Sequence, residues 1–216
     1  SGLIFMGLVG IEDPPRKNID HVIGILRDAG IKIVMITGDF ELTGVSIAKQ
    51  CGIITSEKIA KVNTLGDSDK NSISVTGPEL NLLDESQWEQ LVAHNELVFT
   101  RTTPEQKLLI VEKFQKYGQV VGMTGDGIND APALKQSDIG ISILDASDIA
   151  KEAADLILMN SDADQLFLSI VEALKFGRLV FENLKKTICY LLPAGSYSEL
   201  WPVVMNVFFG MPQMLS

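Results

Sequence analysis

The chain has 216 residues, 46% of them hydrophobic, with 28 acidic against 18 lysine and arginine side chains and a formal net charge of −10. That length suffices for one full-sized domain with its own core. The acidic balance, with no basic run interleaved with aromatics, argues against a nucleic-acid partner and leaves proteins that handle cations or phosphates. Its two cysteines, Cys51 and Cys189, stand far apart and in different kinds of segment, and read as free thiols in a reducing compartment rather than as a disulfide.

The first ten residues, SGLIFMGLVG, lack an initiator methionine, a basic leader and a small-residue cleavage site. They read as a strand rather than a targeting sequence. A chain that opens in mid-pattern and closes on a hydrophobic tail is expected to be a piece of something longer. Asp13 is the expected cap of a helix with Pro14 and Pro15 in its first turn, with Ile19, Val22, Ile23 and Leu26 at helical spacing and Gly30 as its end. Residues 31–36 (IKIVMI) predict a strand, and 43–52 a second helix turning Val45, Ile47, Ala48 and Cys51 inward. Between 55 and 98 the pattern loosens: 66–72 is polar, TGPEL at 76–80 reads as a turn, and only 85–93 reads as a helix. This is the expected place for a variable insertion.

Regularity returns with Thr103-Pro104-Glu105-Gln106, a capping box that opens a helix running to Tyr117 and ended by Gly118. A strand at 119–123 (QVVGM), a helix from Ala131, a strand at 139–143, a helix near 147–154 and a strand at 156–159 follow. Strands alternating with helices at this spacing predict an α/β fold, a doubly wound, Rossmann-like parallel sheet with helices on both faces. A long helical pattern from Leu166 then runs into residues 188–210, where Glu199 is the single ionisable group. That length and composition predict a transmembrane helix, and Lys185 and Lys186 just before it predict a cytosolic globular part. A buried core helix is the competing reading, favoured by the two prolines and disfavoured by length.

Three elements present reactive groups. Ile36 is followed by Thr37-Gly38-Asp39, Met123 by Thr124-Gly125-Asp126, and Lys107 lies on the helix feeding the second strand. Open α/β sheets place ligands at the C-terminal ends of their strands. If these strands are neighbours, a hydroxyl, backbone N–H groups, an ammonium and carboxylates share one crevice, a set suited to phosphate with magnesium. Asp126 and Asp130 are the candidate Mg²⁺ ligands, since that ion is held by one or two carboxylates plus phosphate oxygens. Asn129 can donate to an oxyanion. Taken alone, each member has a plainer reading: Asp39 as a helix cap, Lys107 as a solvated lysine, Arg16 as a surface residue, Arg27 as a cation at a helix C-terminus, Arg101 as rim charge.

The ordered set DPPR (13–16), MITGD (35–39), RTTPEQK (101–107) and MTGDGINDAPALKQSDIGI (123–141) resembles the cytoplasmic phosphorylation domain of type II P-type cation-transporting ATPases, the sodium/potassium and calcium pump group within the haloacid dehalogenase-like superfamily. FENLKKTICYLL (181–192) resembles the approach to the fifth membrane helix. The resemblance implies a phosphorylation domain, C-terminal portion, over 1–165, a helical stalk over 166–187 and a transmembrane helix over 188–210. It implies that Thr37, Gly38 and Asp39 contact phosphate and nucleotide, that Lys107 neutralises phosphoryl charge, that Asp126 and Asp130 bind Mg²⁺ and that Asn129 reaches the phosphate. Arg16 and Arg101 match hinge arginines near the nucleotide domain, and Arg27 another arginine associated with nucleotide binding. Implied partners are ATP, a transported cation (sodium or potassium by the FENLKK likeness), a lipid bilayer and the pump's remaining domains.

Two departures matter. The family's nucleophile, the aspartate of an Asp-Lys-Thr-Gly-Thr motif, is absent from this sequence. Asp67-Ser68-Asp69 and Asp162-Ala163-Asp164 lack its context, so the chain by itself is expected neither to phosphorylate nor to pump. In the apolar tail, Glu199 is the candidate ligand for the transported ion, displaced by about one residue from a straightforward match. A soluble phosphatase of the same superfamily and a catalytically silent binding fragment are the alternatives. The first calls for a DxDx[TV] motif before Thr37 and no bilayer-length tail, whereas the second is favoured by the missing nucleophile.

Overall fold

A computed structural model describes residues 4–7, 9–10, 14–62, 72–159 and 165–210. Asp13 and both Asp-x-Asp pairs, at 67–69 and 162–164, lie outside the described residues. Two compact units divide at residues 169 and 170.

The first unit is built on parallel strands throughout. β1 (Val34–Ile36), β2 (Ile59–Ala60), β3 (Ser72–Thr76) and β4 (Glu96–Thr100) form one sheet in the order β1-β4-β3-β2. β5 (Gly122–Thr124), β6 (Ile139–Ile143) and β7 (Leu156–Leu158) form a second, in the order β5-β6-β7. The expected α/β class holds, but the single sheet does not: β1 and β5, whose adjacency was the condition for one shared crevice, head separate ladders. Packing joins them instead. Ile36 of β1 leans on the apolar cluster that contains Met123 of β5. Helix α5 (Pro104–Lys116) bridges the two sheets, with Ile110 and Phe114 in the core of the first and Val111 in that of the second.

The segment read as a loose insertion contributes the most deeply buried strands. β4 is buried along its whole length and β3 at four of its five residues. These strands are covered on both faces, so they lack the alternation of a half-exposed strand. Their polar members Ser72, Ser74, Glu96 and Thr100 hide the apolar run. Glu96 accepts from Thr55 N (2.9 Å), Thr55 Oγ1 (2.6 Å) and Ser72 Oγ, with Arg27 Nη1 at 3.9 Å. Burial pushes the Glu96 carboxyl up, but the donors from Ser72 and Thr55 and the Arg27 charge outweigh it and hold it below the usual range.

The other elements are α1 (Ile19–Asp28), α2 (Glu41–Gln50), α3 (Gly77–Leu80), α4 (Glu85–Ala93), α6 (Ala131–Gln136) and α7 (Asp148–Ala153). Two sequence expectations fail at the start. Residues 4–7 and 9–10 are not in a strand, and α1 begins at Ile19 rather than at the proline pair. Pro15 disfavours helical backbone at Pro14, and Asn18 sits in the left-handed region at φ 62°, so the chain turns before the helix opens. Gly30 (φ 78°) and Gly118 (φ 77°) lie just past the ends of α1 and α5, as expected.

Helix α8 (Leu166–Gly195) begins in the last residues of the first unit and makes up most of the second, where a π turn covers Ser196–Leu200 and α9 (Trp201–Phe209) ends at Gly210. The expected single transmembrane helix over 188–210 is thus divided. Its first third closes a helix whose upstream part is charged, and its last part is a nine-residue helix. Among the described residues no helix is long and apolar enough to cross a membrane.

Candidate active site

Thr37 continues the β1 ladder, its N–H donating to Phe99 O at 2.9 Å. Its hydroxyl then donates to Asp39 Oδ2 (2.8 Å) while accepting from Asp39 N (3.1 Å). Asp39 therefore does not cap the next helix: the residue at the start of α2 is Phe40, which offers no side-chain cap. The loop after β4 grips this turn from the side. Thr102 N and Oγ1 donate to Thr37 O at 3.1 and 3.0 Å, and Arg101 N donates to Asp39 O at 2.9 Å.

Thr103 and Gln106 form the expected capping box, with Gln106 N donating to Thr103 Oγ1 (3.3 Å) and Thr103 N to Gln106 Oε1 (3.0 Å). The box fixes the first turn of α5, and Lys107 projects from it. Lys107 Nζ donates to Asp130 Oδ1 at 2.6 Å, with the two side chains only 14% and 12% exposed. Asp130 is reached through the turn Gly125–Asn129. Here glycine is required by space: a Cβ at position 125 would lie 2.5 Å from Asp130 Cβ and 2.9 Å from its Cγ. Asp130 Oδ2 also accepts, at 3.4 Å, from Gly127 N.

Asp126 and Asn129 are exposed, and Asp126 O accepts from Ser147 N at 2.9 Å. The side chain of Asp126 thus faces solvent while that of Asp130 is buried against a lysine. Among the described residues no cluster of three or more His, Cys, Asp or Glu side chains forms a ready-made metal cage. The donor set fits a hard ion that keeps waters and borrows phosphate oxygens better than one that requires a protein cage.

The arginines are distributed. Arg101 sits at φ 52° with its guanidinium over the Phe40 ring, 5.2 Å from the centroid. Arg16 lies over the Phe167 ring at 5.6 Å. Arg27 donates to Gly52 O (2.7 Å) and Ile53 O (2.6 Å) and approaches Glu96, the first residue of β4, whereas Arg101 follows the last. It therefore lies at the opposite end of that strand from the Thr-Gly turns, about 13 Å along it, where it ties α1 to the end of α2. Glu199, in the second unit, is exposed and shares a helix face with Ile188, Leu192, Gly195 and Ser196.

Sequence reading treated Thr76-Gly77 only as a turn, yet this is a third Thr-Gly pair at a strand end. A Cβ on Gly77 would fall 2.2 Å from Arg101 O, and Gly77 O accepts from the buried Gln106 Nε2 at 2.7 Å. Repetition of the pair after β1, β3 and β5 was the available signal.

Parallel strands with helices packed against them, and Thr-Gly turns at the strand ends, define an α/β architecture. The chain belongs to the haloacid dehalogenase-like hydrolase family, whose model matches residues 4–138. Over nearly its whole length it is also similar to cation-transporting ATPase alpha chains of the type II P-type group. It is 44% identical to potassium-transporting ATPase alpha chain 2 of Cavia porcellus, covering 98% of this chain and 21% of the relative. Identity is 43% to sodium/potassium-transporting ATPase subunit alpha-4 of Homo sapiens (97% and 21%) and 42% to subunit alpha-A of Artemia franciscana (98% and 22%). The chain thus spans about a fifth of the length of these relatives.

Proposed function

We propose that this chain is the phosphate-handling section of an ATP-driven cation pump that works through an aspartyl-phosphate intermediate. The observation that carries this reading is the Lys107–Asp130 pair at 2.6 Å, an ammonium held at a strand end beside a glycine-broken carboxylate turn. Thr37 and the backbone of Gly38 and Asp39 orient the phosphoryl group, Lys107 offsets its charge in the transition state, and Asn129 donates to one of its oxygens. Asp126 and Asp130 would hold Mg²⁺, which supplies charge neutralisation across the phosphate oxygens. Arg101 and Arg16 act toward the nucleotide.

The nucleophilic aspartate is supplied by a part of the pump outside this sequence, so the chain alone is inactive. The helical path from 188 through the π turn to 209, about 33 Å long if straight, is the membrane segment of an integral protein with its globular part in the cytosol. Exposed Phe208, Phe209 and Tyr197 accord with a lipid-facing surface. Glu199 is the proposed ligand for the transported ion, sodium or potassium.

The test uses the full-length protein with γ-labelled ATP. Label is expected on protein only with Mg²⁺ present, in an acid-stable, hydroxylamine-sensitive form, with turnover changed by Na⁺ or K⁺. Absence of label under all these conditions removes the reading.

A further inference from the structure

Phe40 stands directly after the Thr37–Asp39 turn, is 71% exposed, and occupies the position before α2 at which Ser, Thr, Asp or Asn would cap the helix. It makes no capping hydrogen bond. A large apolar ring there leaves the helix uncapped and leaves the ring in water, so neither local stability nor core packing accounts for it. Its partner is the Arg101 guanidinium, 5.2 Å from the ring centroid.

Arg101 is itself held by constraint. It is one of two non-glycine residues with positive φ among the described residues, at 52°. That conformation is fixed from both sides: its N–H donates to Asp39 O at 2.9 Å, and its carbonyl passes so close to Gly77 that a Cβ there would lie 2.2 Å from it. From this backbone the side chain lies against the ring of Phe40, the residue directly after the Thr37–Asp39 turn. Together Phe40 and Arg101 line an open cleft of about 220 Å³ with Glu41, Leu42, Thr76 and Pro78. A long exposed arginine has many rotamers, and stacking on an aromatic face removes most of them before a ligand arrives.

We infer that Phe40 is a positioning residue: it holds the Arg101 guanidinium at the cleft that opens directly after the Thr37–Asp39 turn, ready for an anionic group of a nucleoside triphosphate. This rests on the reading of Arg101 as a nucleotide-facing residue. Phe40 acts only through Arg101, so its loss is felt in substrate binding and not in the chemical step.

The experiment is a double-mutant cycle in the full-length protein, read as KM for MgATP and as kcat. Phe40→Ala is expected to raise KM about twofold to fivefold with kcat within twofold, consistent with a cation–π contact at an exposed site. Phe40→Trp, which preserves the stacking face, restores KM. Arg101→Ala raises KM by at least as much, and Phe40→Ala then adds nothing to it. Phe40→Ala and Arg101→Ala multiplying, or Phe40→Ala leaving KM unchanged while Arg101→Ala raises it, overturns the positioning role and leaves Arg101 as a nucleotide residue. If Arg101→Ala leaves KM unchanged, the nucleotide-facing reading of that arginine fails and the inference with it. Because Phe40 is exposed, loss of folding does not cloud these outcomes.

Discussion

The turn after β1 and the turn after β5 carry the same three letters, Thr-Gly-Asp, and solve their polar problem in opposite ways. In the first, the hydroxyl and carboxylate satisfy one another: Thr37 donates to Asp39 at 2.8 Å, and neighbouring backbone holds the pair. In the second, the aspartate of the triplet is left open, and the glycine is the point against which a later residue, Asp130, is pressed and paired with Lys107. A closed local turn can present its backbone and hydroxyl to a ligand without reorganising. A turn that couples an aspartate to a lysine from another element ties two segments together, so identical letters fold into a self-satisfied turn in one place and an anchor for a long-range ion pair in the other.

The largest test of this contrast is removal of the pair. In the full-length protein Lys107→Ala or Asp130→Asn is expected to lower the rate of phosphoenzyme formation by about 10²–10³, the scale of losing one charge-stabilising donor. The double mutant should be little worse than either single, because the two act together. Quenched-flow labelling measures this, and fully multiplicative losses would break the coupling. Next comes Gly125→Ala, where the added methyl meets Asp130 at 2.5 Å. It should cost about 1–3 kcal/mol in denaturant unfolding. Gly38→Ala is the matched control: the nearest atom to its Cβ, Thr102 O, is 3.8 Å away, an ordinary contact, so stability should hardly change. Equal losses at both glycines would erase the distinction. Smaller still is Asp39→Asn, which keeps an acceptor for the Thr37 hydroxyl. KM for MgATP should move less than about threefold, within the range of one weakened neutral hydrogen bond.

Sequence signals located α5 with both its ends and the C-terminal end of α1, because those are set locally, but missed the start of α1 and the short α3. Thr103 with Gln106, Gly30 and Gly118 act within a turn of their own positions. The same reasoning failed at β3 and β4, where burial on both faces removes alternation and Ser72, Ser74 and Thr100 imitate a polar loop. Motif order and the resemblance, not periodicity, singled out Lys107 and Asp130 separately, but not their pairing, since nothing in a helical pattern tells a lysine which of several aspartates it will meet. Arg27 was illegible for the converse reason: its partners Gly52 O and Ile53 O are backbone atoms, which leave no mark on a sequence. The left-handed backbone at Arg101 was equally hidden, because the residue that permits it is Gly77 on another strand end.

The smallest effect asks whether the Lys107–Asp130 pair is local to its end of α5. At the other end of that helix, Glu85 of α4 accepts from Lys113 at 2.5 Å, from Lys116 at 2.7 Å and from Tyr117 OH at 2.9 Å. The donors from Lys113, Lys116 and Tyr117 pull its carboxyl from 4.5 down to about 2. A depressed folded-state value means that the unfolded chain takes up the proton first. The contribution of Glu85 is therefore fully present above about 4.5 and lost as pH falls through about 2. Protection of the α4 amides against hydrogen exchange, corrected for intrinsic rates, should decline across that window in the native protein. In Glu85→Gln it should be lower at neutral pH and nearly flat below it. Glu85 is largely exposed, so salt should shrink the difference. Phosphoenzyme formation at neutral pH should be unchanged in this variant. If it fell as far as in Lys107→Ala, the lysine would owe its position to the far end of α5, and the contrast between the two Thr-Gly-Asp turns would no longer be a property of the turns themselves.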